Sequence, residues 1–247
     1  MEKIKISALV VVRNEERNIE RCLTSLKFCD EIILVDQEST DKTVDIAKEY
    51  TSKIYKNKAS GYPEPSRAFA EKKCRGEWIF NIDADEEITP ELEKEILRSI
   101  KSDKFDAYRI HRNFFFIKKI LKHIGSDDYA LRLHKKGSLI YTPDLHNGVF
   151  PRENIKIGKM KNSLNHYSTV SAEQHLEKID RYAKALAKNK KYRSFPRKYF
   201  GIFYTPIGYF LYYYIYYKGF LDGKEGLHFS ILAFYNEILI YKYVWFD

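Results

Sequence analysis

The chain has 247 residues, of which 44% are hydrophobic and 31% are charged. A chain this apolar and aromatic is not disordered, and its length suffices for one large core or a core with a small appendage. Forty-three basic against 34 acidic residues give a net charge of +9, which favours nucleic acid, an acidic membrane surface or phosphorylated substrates as partners. The three cysteines lack CxxC spacing and indicate neither a disulfide framework nor a zinc site.

The first hundred residues alternate between strand and helix patterns. Ile4 to Val12 is a nearly continuous apolar run rich in β-branched residues, which predicts a strand buried on both faces. Only about six consecutive apolar residues directly precede Arg13, which is too few for the core of a signal peptide. Asn14 is expected to cap the first helix. The same patterns predict strands at 31–36, 52–55 and 78–82 and helices after 39–41, at 66–74 and from Thr89 onward. The order predicts an α/β fold with a mostly parallel sheet between helices.

Polar residues follow three of these strands directly. They are Arg13 to Glu15, Asp36, and Asp83 to Asp85. Because ligands of parallel sheets bind beyond the carboxyl ends of the strands, we expect these residues to meet at one edge. Two carboxylates two residues apart can share a divalent cation that also holds phosphate oxygens, although such pairs also occur in solvated loops. Of the next two residues, Glu86 and Glu87, one is interpreted as an acid that serves the dipole of the following helix.

The rest of the chain changes in character. Residues 105–167 show short alternating stretches with glycine and proline between them, which predicts added strands and loops. Residues 171–191 have the pattern of an amphipathic helix with one apolar stripe. Residues 178–198 contain nine basic residues and one acid, and 21 of the 38 aromatic residues lie from Tyr192 onward.

Residues 199–217 carry no formal charge and are numerous enough to span a bilayer. Eight of these 19 residues are tyrosines, however, and tyrosine favours the headgroup interface. We therefore expect helices that lie on an anionic membrane surface beside the basic segment. The alternatives are a true membrane span, and a helical subdomain that packs on the core or on a second subunit to form a homo-oligomer.

Two stretches in the first hundred residues carry a family pattern: ALVVVRNEERNIERCLTSLKFCDEIILVDQESTDKTVDIAKEY and GEWIFNIDADEEITPELEKEI. They resemble family 2 inverting glycosyltransferases of the GT-A fold. The later segments YRIHRNFFF, DDYALRLHKKG, LNHYSTVSAEQHLEKIDRYA and GFLDGKEGLHFSILAFY are similar to the lipopolysaccharide-core β-glucosyltransferase branch. The resemblance covers nearly the whole chain and is loosest in the aromatic tail. It implies an enzyme that transfers a hexose to a lipid-linked, surface-polysaccharide or lipopolysaccharide-core acceptor. The implied hexose is glucose, and its implied donor is UDP-glucose.

The resemblance also implies a binding site for the nucleotide-sugar. Its residues would be Val12, Asn14, Glu15, Asp36, Arg67, Asp83 and Ala84. Asp36 would contact the uracil and Asp83 the ribose. Asp85 would bind Mg²⁺ or Mn²⁺ bridging the diphosphate, and His146 is a second possible metal ligand. Ala68 replaces an asparagine common in relatives, which removes one expected contact.

Inversion by direct displacement needs a base that takes the proton of the acceptor hydroxyl. The family places an acid before a strand that carries an arginine, which here implies Asp128 as the base and Asp127 as the reserve candidate. Alternatively, both are loop carboxylates neutralised by Arg132 or Lys122. Relatives usually carry His-Glu where this chain has His146 and Asn147, which either strengthens Asp128 or indicates altered activity.

These observations predict a GT-A catalytic domain at 1–170, with a nucleotide-binding half at about 1–98 and an acceptor half at about 99–170, and a basic and aromatic helical extension at 171–247. The expected location is cytoplasmic, peripheral on the inner face of the cell membrane. The rival functions are a polyprenyl-phosphate glycosyltransferase and a degenerate, non-catalytic scaffold. Nucleic acid is not an expected partner, because the basic and aromatic residues follow one another along the chain instead of interleaving.

Overall fold

The computed structural model describes residues 5–58, 63–117, 119–141, 149–169, 176, 179–180, 183–184, 186–187 and 197–246. His146, Asn147 and most of the helix predicted at 171–191 lie outside these residues. Contacts divide the chain into two compact units: Met1–Arg112 with Asp128–His166 (unit 1), and Asn113–Asp127 with Tyr167–Asp247 (unit 2). The domain boundary expected near residue 170 stays a prediction.

Eleven strands and four helices lie before residue 170 in the described part of the chain. The strands are β1 (Ile6–Val12), β2 (Glu31–Asp36), β3 (Ile54–Lys56), β4 (Trp78–Asp83), β5 (Glu86–Glu87), β6 (Ala107–Phe116), β7 (Lys119–Leu121), β8 (Tyr129–Lys135), β9 (Leu139–Tyr141), β10 (Val149–Pro151) and β11 (Ile157–Thr169). The helices are α1 (Ile19–Ser25), α2 (Thr43–Ala47), α3 (Glu64–Lys73) and α4 (Pro90–Ser102).

The main sheet has the strand order β3-β2-β1-β4-β8-β6-β11-β5, and β7 pairs with β6. The β1 strand runs parallel to β2 and β4, and β2 runs parallel to β3. The later strand β8 adds antiparallel to β4 and to β6, and β5 pairs antiparallel with β11. The result is a parallel N-terminal part of the sheet that antiparallel strands extend, and β9 and β10 form a separate antiparallel pair.

The alternation of side chains along β1 explains why helices cover both faces of unit 1. Ala8 and Val10 face one side and pack with residues of α1 and α4, including Leu23 and Leu92. Leu9 and Val11 face the other side with Ala70 and Cys74 from α3 and just after it. Burial of such apolar side chains contributes about 25 cal/mol per Å², so both faces stabilise the sheet. The expectation of an α/β sheet between helices is confirmed.

The expected helix cap at Asn14 is wrong. The first helix, α1, begins at Ile19, and Asn14 has a left-handed backbone with φ of 56°. Its amide oxygen accepts a hydrogen bond from the backbone N–H of Thr40 (2.8 Å). The side chain therefore ties two loops together instead of capping a helix.

Unit 2 contains the two C-terminal helices, α5 (Arg197–Leu211) and α6 (Lys224–Phe246). A π-helical turn (Tyr212–Tyr216) and a 3₁₀ turn (Gly219–Asp222) connect them. Within the described residues, no helix combines the length and the apolar character needed to cross a bilayer. The aromatic, helical C-terminal extension that the sequence predicts is confirmed.

Candidate active site

Three strand ends meet at one edge of unit 1, as expected. In the β1–β2 ladder Val12 lies opposite Asp36, and in the β1–β4 ladder Val11 lies opposite Asp83. Parallel pairing in this register places the last residues of the three strands side by side. Loops and side chains that follow these residues therefore share one edge of the sheet.

Hydrogen bonds connect the loop after β1 with the loop after β2. Asn14 donates its backbone N–H to Ser39 Oγ (3.0 Å), and Glu15 donates its own to Thr43 Oγ1 (2.7 Å). Asp36 is buried, and its Oδ1 accepts the N–H of Ser39 (3.1 Å). The two loops thus form one connected wall in which one carboxylate oxygen of Asp36 is already used.

Asp83 is held between two arginines. Its Oδ1 accepts a hydrogen bond from Arg67, on α3, and its Oδ2 accepts one from Arg132, on β8. Burial alone would raise the pKa of Asp83, but the charges of Arg132 and Arg67 outweigh it and hold that pKa well below its usual range. Asp83 is therefore ionised and rigidly oriented, while 30% of its side chain is still exposed.

The next two residues differ in exposure. Ala84 is buried, whereas Asp85 lies 3.4 Å from His166 Nε2 and keeps 20% of its side chain exposed. The described residues contain no cluster of three histidine, cysteine or acidic side chains that could hold a metal ion by themselves. An aspartate oxygen suits Mg²⁺ or Mn²⁺, and Mg²⁺ is commonly bound by one or two carboxylates together with substrate phosphates. Asp85 could be such a carboxylate ligand, with substrate phosphates completing the coordination. The other candidate ligand, His146, lies outside the described residues.

Glu86 belongs to the site, although the sequence analysis did not count it among the site residues and interpreted one of Glu86 and Glu87 as serving a helix dipole. It lies in β5, fully buried, and not in the helix α4. Its Oε1 contacts Arg132 Nη2 (2.5 Å) and Arg112 Nη1 (3.5 Å), and its Oε2 accepts the backbone N–H of Asp83 (3.0 Å). Burial raises the pKa of Glu86, an effect that Arg132 opposes. Its position directly after Asp85 was a sequence signal, but its arginine partners were not visible there.

The two candidate bases have different partners. Asp128 Oδ1 accepts a hydrogen bond from Arg112 Nη2 (2.7 Å), and Asp127 Oδ2 accepts one from the hydroxyl of Tyr217 (2.9 Å). Asp128 lies in unit 1 and Asp127 in unit 2. The cation that pairs with Asp128 is Arg112, not the Arg132 or Lys122 that the alternative named, so whether Asp128 is a base or a neutralised loop carboxylate stays open.

A chain of charged contacts links the edge at Asp83 to Asp128 within unit 1. It runs from Asp83 through Arg132, Glu86 and Arg112 to Asp128. Charge-assisted hydrogen bonds of this kind are about twice as strong as neutral ones and fix geometry. The arrangement can therefore hold a polar, anionic ligand at the edge and an oriented carboxylate beside the same network.

The sequence matches the family model described as "Glycosyl transferase family 2" over residues 7–158. An uncharacterized glycosyltransferase of Rickettsia bellii is 34% identical over 202 residues, which cover 75% of this chain and 67% of that protein. The lipopolysaccharide core biosynthesis glycosyltransferase LpsC of Rhizobium meliloti is 27% identical, over 97% of this chain and 93% of its own.

Two solved structures share the fold. TarS 1–349 of S. aureus has a TM-score of 0.53 at 18% identity and covers 98% of this chain and 89% of its own. The mannosyltransferase PcManGT of Pyrobaculum calidifontis, in complex with GDP-Man and Mn²⁺, has a TM-score of 0.53 at 13% identity and covers 100% of this chain and 88% of its own. The GT-A fold is confirmed, and with the family match over most of the chain it shows that the protein belongs to glycosyl transferase family 2 and is a glycosyltransferase.

Proposed function

We propose that the protein transfers glucose from UDP-glucose, with inversion at C1, to a lipid-linked glycan. This acceptor would be of the surface-polysaccharide or lipopolysaccharide-core type. The observation that carries the proposal is the edge at which Val12, Asp36 and Asp83 lie side by side among Arg67 and Arg132. The relative LpsC, matched over 97% of this chain, supports the class of acceptor. Structures of TarS with UDP and with UDP-GlcNAc support a uridine nucleotide as the donor carrier.

Asp36 and Asp83 would bind the nucleoside. A carboxylate has about four lone-pair positions, so the two hydrogen bonds from Arg67 and Arg132 leave Asp83 able to accept the hydroxyls of a ribose. Asp36, whose Oδ1 holds the loop after β2, would contact the uracil. Both arginines also place positive charge where a diphosphate would bind. Val12, Asn14, Glu15 and Ala84 supply the walls of this pocket.

Asp85 would hold a divalent cation together with the diphosphate. Mg²⁺ or Mn²⁺ stabilises the negative charge that develops on a leaving diphosphate. The PcManGT structure contains Mn²⁺ with its nucleotide-sugar, which supports metal use here. The chain's own contribution is the exposed carboxylate of Asp85, oriented by His166.

Asp128 would act as the base. Arg112 holds Oδ1, and the side chain is one-third exposed, which leaves Oδ2 accessible to a hydroxyl. The acceptor oxygen attacks C1 of the hexose as its proton passes to Asp128, and the bond from C1 to the diphosphate breaks to release UDP. A correctly placed base of this kind contributes about 10²- to 10⁴-fold to the rate.

The C-terminal helices would bring the enzyme to an anionic membrane on the cytoplasmic side, where a lipid-linked acceptor lies. Large apolar side chains at a spacing of three or four residues are exposed along α5 and the π-helical turn: Phe200, Phe203, Ile207, Leu211 and Ile215. An apolar stripe with tyrosines, preceded by a basic segment, suits the interface of anionic lipids.

Two variants test this function. Asp85→Asn should weaken Mn²⁺-dependent UDP binding at least tenfold in calorimetric titration, because a metal ligand loses its charge. Asp128→Asn should keep wild-type UDP binding and lose at least a hundredfold in kcat, measured as transfer from UDP-glucose to lipopolysaccharide. Asp103→Asn, at an exposed left-handed position that asparagine tolerates, is the control and should change neither quantity.

Each result decides one element of the proposal. Unchanged UDP titration in Asp85→Asn contradicts the metal site, and full turnover in Asp128→Asn places the base elsewhere. UDP binding without transfer by the wild-type protein would identify a non-catalytic member of the family. Transfer to polyprenyl phosphate, but not to a glycan, would replace the acceptor class.

A further inference from the structure

In unit 2, the turn between α5 and α6 binds the backbone of the segment after β7. The carboxylate of Asp222 accepts the backbone N–H groups of Lys122 (2.9 Å), His123 (3.1 Å) and Ile124 (3.1 Å), and lies 3.0 Å from His123 Nδ1. Lys119 Nζ donates to the backbone carbonyl of Asp222 (2.8 Å). Asp222 is buried, and although burial opposes it, the hydrogen bonds from the 122–124 segment lower the pKa of this carboxyl. Three amides that point at one charged group fix the backbone of this segment.

The connection between α5 and α6 also binds the side chain of Asp127, which follows the 122–124 segment. The Tyr217 hydroxyl donates to Asp127 Oδ2 (2.9 Å), and Tyr212 donates to the Tyr217 oxygen (3.3 Å). Hydrogen bonds with Tyr212 and Asp127 raise the pKa of Tyr217, so its phenol stays protonated and able to donate. The ring of Tyr217 packs on a core that includes Phe116, Leu121 and Ile124.

We propose that Tyr217 and Asp222 are positioning residues that fix Asp127 and, through the peptide bond that joins the two residues, the neighbouring carboxylate of Asp128, so that contacts within unit 2 affect the rate of the transfer step. This inference rests on the proposed function. Asp222 fixes the backbone that leads into the pair, and Tyr217 fixes the Asp127 carboxylate at its start. A misplacement of about 1 Å of a reacting group can cost about a hundredfold in rate, so such contacts matter to kcat.

Tyr217→Phe is the first test, since it removes one hydroxyl and keeps the ring in its core. In the full-length protein we expect kcat for transfer from UDP-glucose to lipopolysaccharide to fall at least tenfold, with KM for UDP-glucose and the calorimetric Kd for UDP within twofold. The melting temperature should stay within about 2 °C, because one exposed hydrogen bond contributes little to stability. Tyr216→Phe, whose ring is 72% exposed, is the control and should keep wild-type kcat.

Asp222→Asn is the second test. An asparagine offers one acceptor oxygen and places N–H donors against the amides of 122–124, so hydrogen exchange at these three amides should accelerate while kcat falls and UDP binding persists. Asp222→Glu keeps the charge and should recover part of kcat. If Asp222→Asn does not fold, the kcat of Tyr217→Phe still tests the positioning role.

The outcomes separate the two proposals. Wild-type kcat in Tyr217→Phe overturns the positioning role, as does a loss of UDP binding equal to the loss of kcat, which would mean general damage to the protein. A wild-type protein that binds UDP but performs no transfer contradicts the proposed function. In that case, unaltered exchange at 122–124 in Asp222→Asn would also contradict the structural basis of the positioning role.

Discussion

Glu31 begins β2 as a buried carboxylate with four hydrogen-bond donors, of which the Nε of Arg75 is the most distant (3.4 Å). Ser7 Oγ lies 2.5 Å and the backbone N–H of Arg75 2.6 Å from its Oε1, and Lys53 Nζ donates to its Oε2. Burial would raise the pKa of Glu31, but the hydrogen bonds from Lys53, Ser7 and Arg75 outweigh it and lower that pKa from 4.5 to about 2. Glu31 thus joins the starts of β1 and β2 to the loop before β4.

This residue gives unit 1 a pH-dependent stability. Because the folded pKa lies below the unfolded one, the stabilisation is fully present above pH 4.5 and is lost as the pH falls through about 2. Glu31→Gln should lower the free energy of unfolding at pH 7 by about 2 kcal/mol, the contribution of hydrogen bonds to a charged group. Its stability should also fall less than that of the wild type between pH 4.5 and 2.

Urea unfolding at a series of pH values measures both effects. The matched control is Glu49→Gln, which changes an exposed glutamate and should follow the wild-type curve. Parallel curves for Glu31→Gln and the wild-type protein would show that the hydrogen bonds at Glu31 do not stabilise the fold.

At the scale of elements, the packing of α5 on α6 depends on a glycine. A Cβ built on Gly201 would collide with the hydroxyl of Tyr241, a fully buried residue of α6. A Cβ on Gly208, in the same helix, would meet nothing within 4 Å among the described residues. The two glycines therefore differ in packing while sharing a helical backbone.

Gly201→Ala should destabilise unit 2 by about 1–3 kcal/mol through overpacking, whereas Gly208→Ala should be neutral or stabilise by about 0.5–1 kcal/mol through its higher helix propensity. Thermal unfolding followed by circular dichroism distinguishes the pair. Equal melting temperatures for the two variants would contradict the close approach of Gly201 to α6.

The elements themselves were largely predictable, since local chemistry determines them. Apolar runs give β1, β2 and β4, and the helix expected from Thr89 onward is α4, which Thr89 caps by accepting the N–H of Leu92 (3.2 Å). Parallel pairing of these strands then places Asp36 and Asp83 at one edge without further information. This part of the site follows from periodicity and from the known geometry of parallel sheets.

The partners of the site residues were not predictable, because they depend on the register of distant strands. Arg132 reaches Asp83 and Glu86 only because β8 adds antiparallel beside β4. Arg112 reaches Asp128 because β6 pairs with β8. Spacing along the chain carries no signal for either contact. The roles of site residues in binding metal, binding nucleotide and acting as base stay predictions. His146, a predicted metal ligand, lies outside the described residues.

For the whole molecule, the net charge of +9 and the exposed apolar stripe predict membrane binding that depends on salt. The protein should sediment with vesicles that contain phosphatidylglycerol, and 1 M NaCl should weaken this binding because it shortens the Debye length from about 10 Å at 0.1 M to about 3 Å. Phe203→Glu should lower the partition coefficient about tenfold, since it replaces an exposed apolar side chain, which would insert among the lipids, by a charge that anionic lipid repels.

Phe150→Glu is the matched control, because Phe150 is an exposed phenylalanine of unit 1 and should not affect vesicle binding. Equal sedimentation of Phe203→Glu and wild type would exclude the α5 stripe as the membrane contact. A dimer that forms without vesicle binding would assign the stripe to a second copy of the chain. Tight oligonucleotide binding would instead assign the positive charge to nucleic acid.

The junction at Arg112 and Asp128 has a consequence for the sheet of unit 1. The chain leaves unit 1 after Arg112 and returns at Asp128, and the backbone N–H of Arg112 donates to the carbonyl of Asp128 (2.9 Å), which closes the β6–β8 ladder where the two ends of residues 113–127 meet. A change inside residues 113–127 should therefore leave the β6–β8 register before Arg112 unchanged.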